Sequence, residues 1–168
     1  TLQNKNVFIT GATGGLGAHI AVELSQHGCN IYLTGRDPTK LRVIKDVVKL
    51  GRGRVHDGVG DLRSLKDVDF LINDAKDKLG SIDILVNCAG VFTVKPLSKS
   101  SIEDFEDCFN VNVKAPFLFS KEFIKDMSKN KWGRIVNIGS SSAYSGFKNT
   151  SVYCSSKHAL LGLSRALY

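Results

Sequence analysis

Three side chains in the last third of the sequence have the types and spacing of an acid/base centre: Ser140, Tyr153 and Lys157. Tyr153 and Lys157 are four residues apart, which on a helix sets both on one face and within reach of one site. A phenol, with a reference pKa of about 10, is a poor acid or base at neutral pH unless its anion is favoured. The Lys157 ammonium and a nearby helix N-terminus both favour that anion. Ser140 stands thirteen residues before Tyr153, at the end of an expected strand, where its hydroxyl could bind a carbonyl or alcohol oxygen. Asn112, in an expected long helix, is the fourth polar member of the set. An isolated Y-x-x-x-K is an ordinary amphipathic pair, so the weight lies in the group and in what accompanies it.

What accompanies it is Thr10-Gly11-Ala12-Thr13-Gly14-Gly15-Leu16-Gly17, lying between a strand pattern and a helix pattern. Small residues there let backbone N–H groups approach a pyrophosphate, and the following helix points its positive end at the same anion. By itself this loop is equally a tight strand-to-helix turn.

The elements that must position these residues can be read from periodicity. Short apolar runs alternate with helical stretches: Val7-Phe8-Ile9, then a helix with Leu16, Ile20 and Leu24 on one face; Ile31-Tyr32-Leu33, then Leu41, Ile44 and Val48. Val55 to Val59 is followed by Val68, Leu71, Ala75 and Leu79, and Ile82 to Val86 by a long helix carrying Ile102, Phe105, Phe109 and Val113. Ile135 to Ile138 makes the fifth strand, and a last helix begins near Val152. Strands each followed by a helix require parallel pairing with right-handed crossovers, hence an α/β doubly wound sheet with helices on both faces. The whole chain, 1–168, reads as one dinucleotide-binding and catalytic domain. Pro116 lacks an N–H, so the carbonyl of Asn112 loses its i to i+4 donor and the long helix is expected to kink there.

Taken together, the T-G-x-x-x-G-x-G spacing, Asp61-Leu62 after the third strand, Asn87-Cys88-Ala89-Gly90 after the fourth, and Ser140, Tyr153 and Lys157 resemble the short-chain dehydrogenase/reductase family over the whole chain. The resemblance implies a Rossmann-like sheet in the order 3-2-1-4-5, with the chain standing for the N-terminal two-thirds of a family member. It implies a cofactor held by Gly11, Thr13, Gly14, Gly15, Leu16 and Gly17, with Asp61 and Leu62 on the adenine ring and Asn87, Ala89 and Gly90 along the ribose. Cys88 departs from the family's usual asparagine and leaves a thiol near the cofactor.

The chemistry implied is hydride transfer between a nicotinamide and a carbonyl or alcohol carbon, with Asn112, Ser140, Tyr153 and Lys157 as the catalytic tetrad. Tyr153 gives or takes the proton, Ser140 orients the substrate oxygen, Lys157 holds the nicotinamide ribose, and Asn112 holds a relay water behind Lys157. NADP(H) is the expected cofactor, with NAD(H) as the second candidate. NAD-preferring members place an aspartate where Gly35 stands, whereas here Arg36 follows and can clamp a 2′-phosphate with its planar fork.

A 3-oxoacyl carrier-protein reductase is one member that fits, and the competing reading is a cofactor-binding but catalytically incompetent truncated relative. The chain ends in a helical pattern at Ala166-Leu167-Tyr168 without a glycine or asparagine cap, and the segment that would shape the substrate pocket is expected to lie beyond it. Homo-dimers or homo-tetramers are implied by the resemblance, packed through the long helix and the final helix.

Composition narrows the field of partners. The net charge is +7, but the lysines are scattered over helix faces and loops without interleaved aromatic residues, so a nucleic-acid surface is not expected. His19, His27, His56 and His158 show no metal-ligand spacing, and no metal is expected. The four cysteines, Cys29, Cys88, Cys108 and Cys154, form no C-x-x-C pair and read as reduced thiols. No apolar run approaches the ~20 residues of a bilayer crossing, and the reading is a cytoplasmic protein acting on a small molecule.

Overall fold

The computed structural model describes residues 1–167; Tyr168, the last residue of the uncapped helical end noted above, lies outside the described residues. Five strands alternate with six helices: β1 (Asn6–Ile9), α1 (Gly15–Gln26), β2 (Asn30–Gly35), α2 (Pro38–Val48), β3 (Val55–Val59), α3 (Leu65–Leu79), β4 (Ile84–Asn87), α4 (Ile102–Phe109), α5 (Ala115–Lys129), β5 (Arg134–Asn137) and α6 (Ser151–Ala166). All four strand pairings are parallel, and the order is β3-β2-β1-β4-β5, as the sequence predicts. The register pairs Ile9 with both Leu33 and Val86, and Asn87 with Asn137. The strands therefore end level, and the loops after β1, β2, β3, β4 and β5 leave along one edge.

The central strands are apolar because both faces are covered. Phe8 and Tyr32 point to one side, where Phe8 stacks on Tyr32 and meets Phe119 and Phe123 of α5, with α3 alongside. Val7, Ile9, Ile31 and Leu33 point to the other, against α1 and α2. The stripe predicted on α3 is the buried one: Val68, Leu71, Ala75 and Leu79 all lie in the core.

Two helices depart from the faces the apolar periodicity picks out. In α1, Ile20 and Leu24 of the predicted stripe pack partly buried against the core, but the fully buried residues are Gly17, Ala21 and Ser25, and Leu16 is 54% exposed. Small residues win there because the helix lies against the glycine loop: a Cβ on Gly17 would stand 2.3 Å from the Gly11 carbonyl oxygen. In the predicted long helix, Ile102 and Phe105 are exposed, and Phe105 stacks on Phe109 along the outer side. The buried positions are instead Cys108, Val111, Asn112, Ala115, Pro116 and Phe119.

That helix is also not continuous. A π-helical turn at Asn110–Lys114 separates α4 from α5, closed by the Ala115 N–H on the Asn110 carbonyl. Where Pro116 leads to the expectation of a kink, the structure has a widened π-helical turn immediately upstream of the proline. It places Val111 and Asn112 consecutively on the buried side.

Candidate active site

The glycine loop joins β1 to α1 without a side-chain cap: Gly14 holds the N-cap position, and the first turn carries no acidic residue. Its amides are thus left to whatever anion approaches. Gly11 has φ of +66°, and a Cβ there would meet the Ala89 backbone at 2.7 Å, so the loop after β1 nests directly on the loop after β4. Thr10 fastens the same two loops: its Oγ1 accepts from the backbone N–H groups of Cys88 and Ala89 at 3.1 and 3.0 Å.

A groove of about 670 Å³ runs along this edge. Along the edge, in strand order, it is lined by Gly60 to Arg63 after β3, by Gly35, Arg36, Asp37 and Lys40 after β2, by Gly11, Thr13 and Gly14 after β1, and by Cys88 to Val91 after β4. Gly15, Leu16 and Gly17 do not line it: Gly17 serves the packing of α1, and Leu16 faces outward. Asn87 is buried beneath, linked through its Nδ2 to Asn137 Oδ1, whose own Nδ2 reaches Ser164 of α6. Two buried acceptors, Thr34 Oγ1 on the groove wall and Asn87 Oδ1, have no hydrogen-bond partner among the described residues.

The charged side chains of the groove are Arg36, Asp37 and Lys40 after β2 and Asp61 and Arg63 after β3. Neither Arg36 nor Lys40 forms an ion pair among the described residues, whereas Arg63 chelates Asp61 through Nε and Nη2 and reaches Asp107 of α4 at 3.0 Å. The Arg63 hydrogen bonds hold the Asp61 carboxyl below the usual carboxylate range, with Arg36 adding to the effect. Asp61, expected on an adenine ring, therefore already carries a planar cation beside it. Lys40 and Arg63 were not singled out by sequence reasoning; Arg63 was legible only as the residue after Asp61-Leu62.

Asn112, Ser140, Tyr153 and Lys157 do not line the groove but lie beyond its Gly90 end. A Cβ on Gly90 would lie 3.6 Å from Asn112 Oδ1 and 3.9 Å from Lys157 Nζ. Lys157 is only 5% exposed; its Nζ donates to the Ile138 carbonyl at 2.8 Å and stands 5.8 Å from the Tyr153 ring centre. Burial pushes its ammonium below the ordinary lysine value. Ser140 follows Ile138 by two residues, so this bond ties Tyr153 and Lys157 to the segment that carries Ser140. The Ser140 hydroxyl accepts from the Ser142 N–H and caps the 3-10 turn Ser141–Ala143 against α6.

Asn112 is 1% exposed, and its side chain is fully engaged: Oδ1 accepts from the Val91 N–H at 2.8 Å while Nδ2 donates to the Val91 carbonyl at 2.9 Å. It clamps the loop after β4. Phe92, next to that clamp, is 64% exposed and meets the Tyr153 ring edge-on at 4.6 Å. Cys88 lines the groove, and burial raises its thiol above the ordinary value, so it stays protonated and packs as a small apolar group. Val91 and Phe92 are not marked by the sequence, because their contribution is backbone and contact rather than chemical type; Thr10 is marked as the head of the glycine motif, though its bonds to Cys88 and Ala89 are not.

A parallel doubly wound sheet with a glycine loop, a groove at the carboxyl edge and a Tyr-Lys pair at the groove's end defines a dinucleotide-fold oxidoreductase class. Residues 5–168 match the family described as short chain dehydrogenase, and the chain belongs to that family. It is 36% identical over 165 residues to an uncharacterized oxidoreductase of Thermotoga maritima, covering 98% of this chain and 65% of that protein. It is 34% identical to a 3-oxoacyl-(acyl-carrier-protein) reductase of Buchnera aphidicola, covering 99% and 67%. Among solved structures, a metagenomic short-chain oxidoreductase in complex with NADP superposes with a TM-score of 0.94 at 30% identity, over 99% of this chain and 75% of that one. The chain thus spans about two-thirds of the length of the curated relatives it matches. No helix among the described residues is long and apolar enough to cross a membrane.

Proposed function

We propose that this chain carries the NADP(H)-binding and proton-transfer centre of a reductase or dehydrogenase acting on a carbonyl or alcohol. The observation that carries the reading is the position of Lys157, buried between the Ile138 carbonyl, the Tyr153 ring and the Gly90 end of the groove. Among the described residues Lys157 has no carboxylate partner, and a buried lysine of that kind beside a cleft is a candidate for a functional role.

The groove fits a dinucleotide on this chain's own features. The α1 amides are uncapped, and Arg36 and Lys40, which form no ion pair among the described residues, line the groove after β2. Arg36 and Lys40 would take a 2′-phosphate, Asp61 and Leu62 the adenine, and Ala89 and Gly90 the ribose. A related structure holding NADP lends support to this choice. When bound, the nicotinamide supplies or accepts the hydride. Tyr153 protonates the substrate oxygen in reduction and takes its proton in oxidation. Lys157 stabilises the phenolate with its charge and holds the ribose hydroxyls, and Ser140 orients the substrate oxygen. Asn112 acts at one remove, by holding the loop at Val91.

The exposed apolar residues Ile102, Phe105 and Phe117 on α4 and α5 support assembly as a homo-dimer or homo-tetramer, testable by light scattering. The functional reading itself is tested by fluorescence titration with NADPH and NADH, followed by a panel of ketones, aldehydes and 3-oxoacyl thioesters. NADPH binding with consumption in the presence of one carbonyl class is the expected result; absence of dinucleotide binding would overturn it.

A further inference from the structure

Ser156 takes no part in the mechanism above, yet three hydrogen bonds meet at its hydroxyl. It is 0% exposed. Its Oγ donates to the Tyr153 carbonyl at 2.7 Å, and it lies 3.0 Å from Asn112 Nδ2 and 3.4 Å from the Cys108 thiol. We propose that Ser156 is a positioning residue: it fixes the orientation of the Asn112 amide and so locks the helix bearing Tyr153 and Lys157 to the loop ending at Val91.

The directions of these bonds leave no freedom. A hydroxyl has one proton, and that of Ser156 is given to the Tyr153 carbonyl, which can only accept. Towards Asn112 the same oxygen must therefore act as acceptor, so the amide must present Nδ2 and not Oδ1. With Nδ2 turned to Ser156 and the Val91 carbonyl, Oδ1 is left facing the Val91 N–H, its observed partner. A flipped amide would set oxygen against oxygen at Ser156 and at the Val91 carbonyl, and nitrogen against nitrogen at the Val91 amide. Ser156 thus adds a third vote for the one orientation in which both main-chain groups of Val91 are satisfied.

A serine inside a helix commonly returns its proton to a carbonyl one turn back, and that bond alone would say nothing. What distinguishes this one is convergence. Donors 44 and 48 residues away in the chain, from the π-helical turn and from α4, end on the same oxygen at a fully buried point. The adjacent Lys157 ties α6 in another direction, to the Ile138 carbonyl beyond β5. Consecutive residues therefore hold the catalytic helix between the two loops that flank the groove's end. Gly90 lies just before Val91, and its clearance from Lys157 Nζ is set by this tether.

The kinetic part of the proposal rests on the reductase reading; the structural part does not. Amide hydrogen exchange at Val91, followed by NMR in the cofactor-free chain, measures the tether, and steady-state kinetics measure its consequence. In Ser156→Ala, Val91 exchange is expected to rise roughly tenfold, the scale of one weakened buried hydrogen bond, with the β2 amides unchanged. On a reducible carbonyl, kcat should fall about tenfold with KM and cofactor affinity within about twofold, the pattern of lost alignment rather than lost binding. Val91 exchange at the wild-type rate would overturn the proposal. Should the alanine variant fail to fold, Ser156→Cys, close in volume and weaker in hydrogen bonding, carries the same comparison with the same two outcomes. A wild-type chain that reduces no carbonyl would sink the reductase reading while the exchange result still decides the tether.

Discussion

At Gly11 the backbone leaves room for hydrogen alone. With φ at +66° and a would-be Cβ 2.7 Å from Ala89, Gly11→Ala is expected to destabilise the fold by roughly 1–3 kcal/mol in urea denaturation. A loss under about 0.5 kcal/mol, the range of an unremarkable surface change, would mean the two loops are not nested as described. Gly35 has a related constraint with a functional reading. A Cβ there would lie 2.8 Å from Thr13 Cγ2, so the space an acidic side chain needs is already filled. Gly35→Asp alone is expected to weaken NADPH binding without improving NADH binding. Adding Thr13→Gly should then improve NADH affinity; equal NADH affinity in the single and double variants would contradict this. Lys157 links the site to stability. Burial lowers its pKa in the folded chain, so the unfolded chain binds more protons between the folded value and the ordinary lysine value. The burden of the buried charge is full below that interval and is relieved as pH rises through it. The stability of wild type relative to Lys157→Met should therefore increase towards alkaline pH, and a difference flat in pH would count against a strained ammonium.

Among the elements, the π-helical turn has the clearest sequence cause. Pro116 withholds the N–H that an α-helix would direct to the Asn112 carbonyl, and the ladder departs from α spacing just before it. Pro116→Ala restores that donor and is expected to slow amide exchange across the turn. If carbonyl reduction is present, kcat should fall with it, because Asn112 would be drawn away from Val91; unchanged exchange would show the turn to be held by the clamp alone. The legibility of the elements follows from how each is packed. α3 lies on the sheet through ordinary aliphatic side chains, so its stripe of Val68, Leu71, Ala75 and Leu79 could be read directly. α1 buries the small residues Gly17, Ala21 and Ser25 most deeply, with Ile20 and Leu24 at the margin of the core, so a stripe of large side chains that includes Leu16 marks its face only in part. In α4 the apolar stripe of Ile102 and Phe105 faces outward, and a period of 3.6 cannot be followed across a π-helical turn. The site divides in the same way. Glycine spacing and the Tyr-Lys interval are patterns of residue type and were legible, as was the edge that gathers them. The Val91 clamp and the Ser156 junction are hydrogen bonds to backbone between distant segments, which no local spacing encodes.

For the molecule as a whole, the net charge of +7 acquires a place as well as a sign. Arg36 and Lys40, which form no ion pair among the described residues, line the groove on either side of Asp37. NADPH affinity should therefore fall with ionic strength more steeply than NADH affinity, since screening acts on the extra phosphate. Arg36→Ala should weaken NADPH binding by about tenfold or more, the scale of a charge-assisted contact. Parallel salt dependences for the two cofactors would move the phosphate site elsewhere. Whether Tyr153 serves as proton donor beside a bound nicotinamide is decided by following an isotope. In a single turnover with NADPH deuterated at the transferable C4 position and a reducible ketone, deuterium is predicted on the carbinol carbon of the product. Tyr153→Phe should bind NADPH within about twofold of wild type yet transfer the label at least about a hundredfold more slowly, as loss of a general acid implies. Label transfer by Tyr153→Phe at near the wild-type rate, or none by the wild type on any carbonyl, would contradict the assignment.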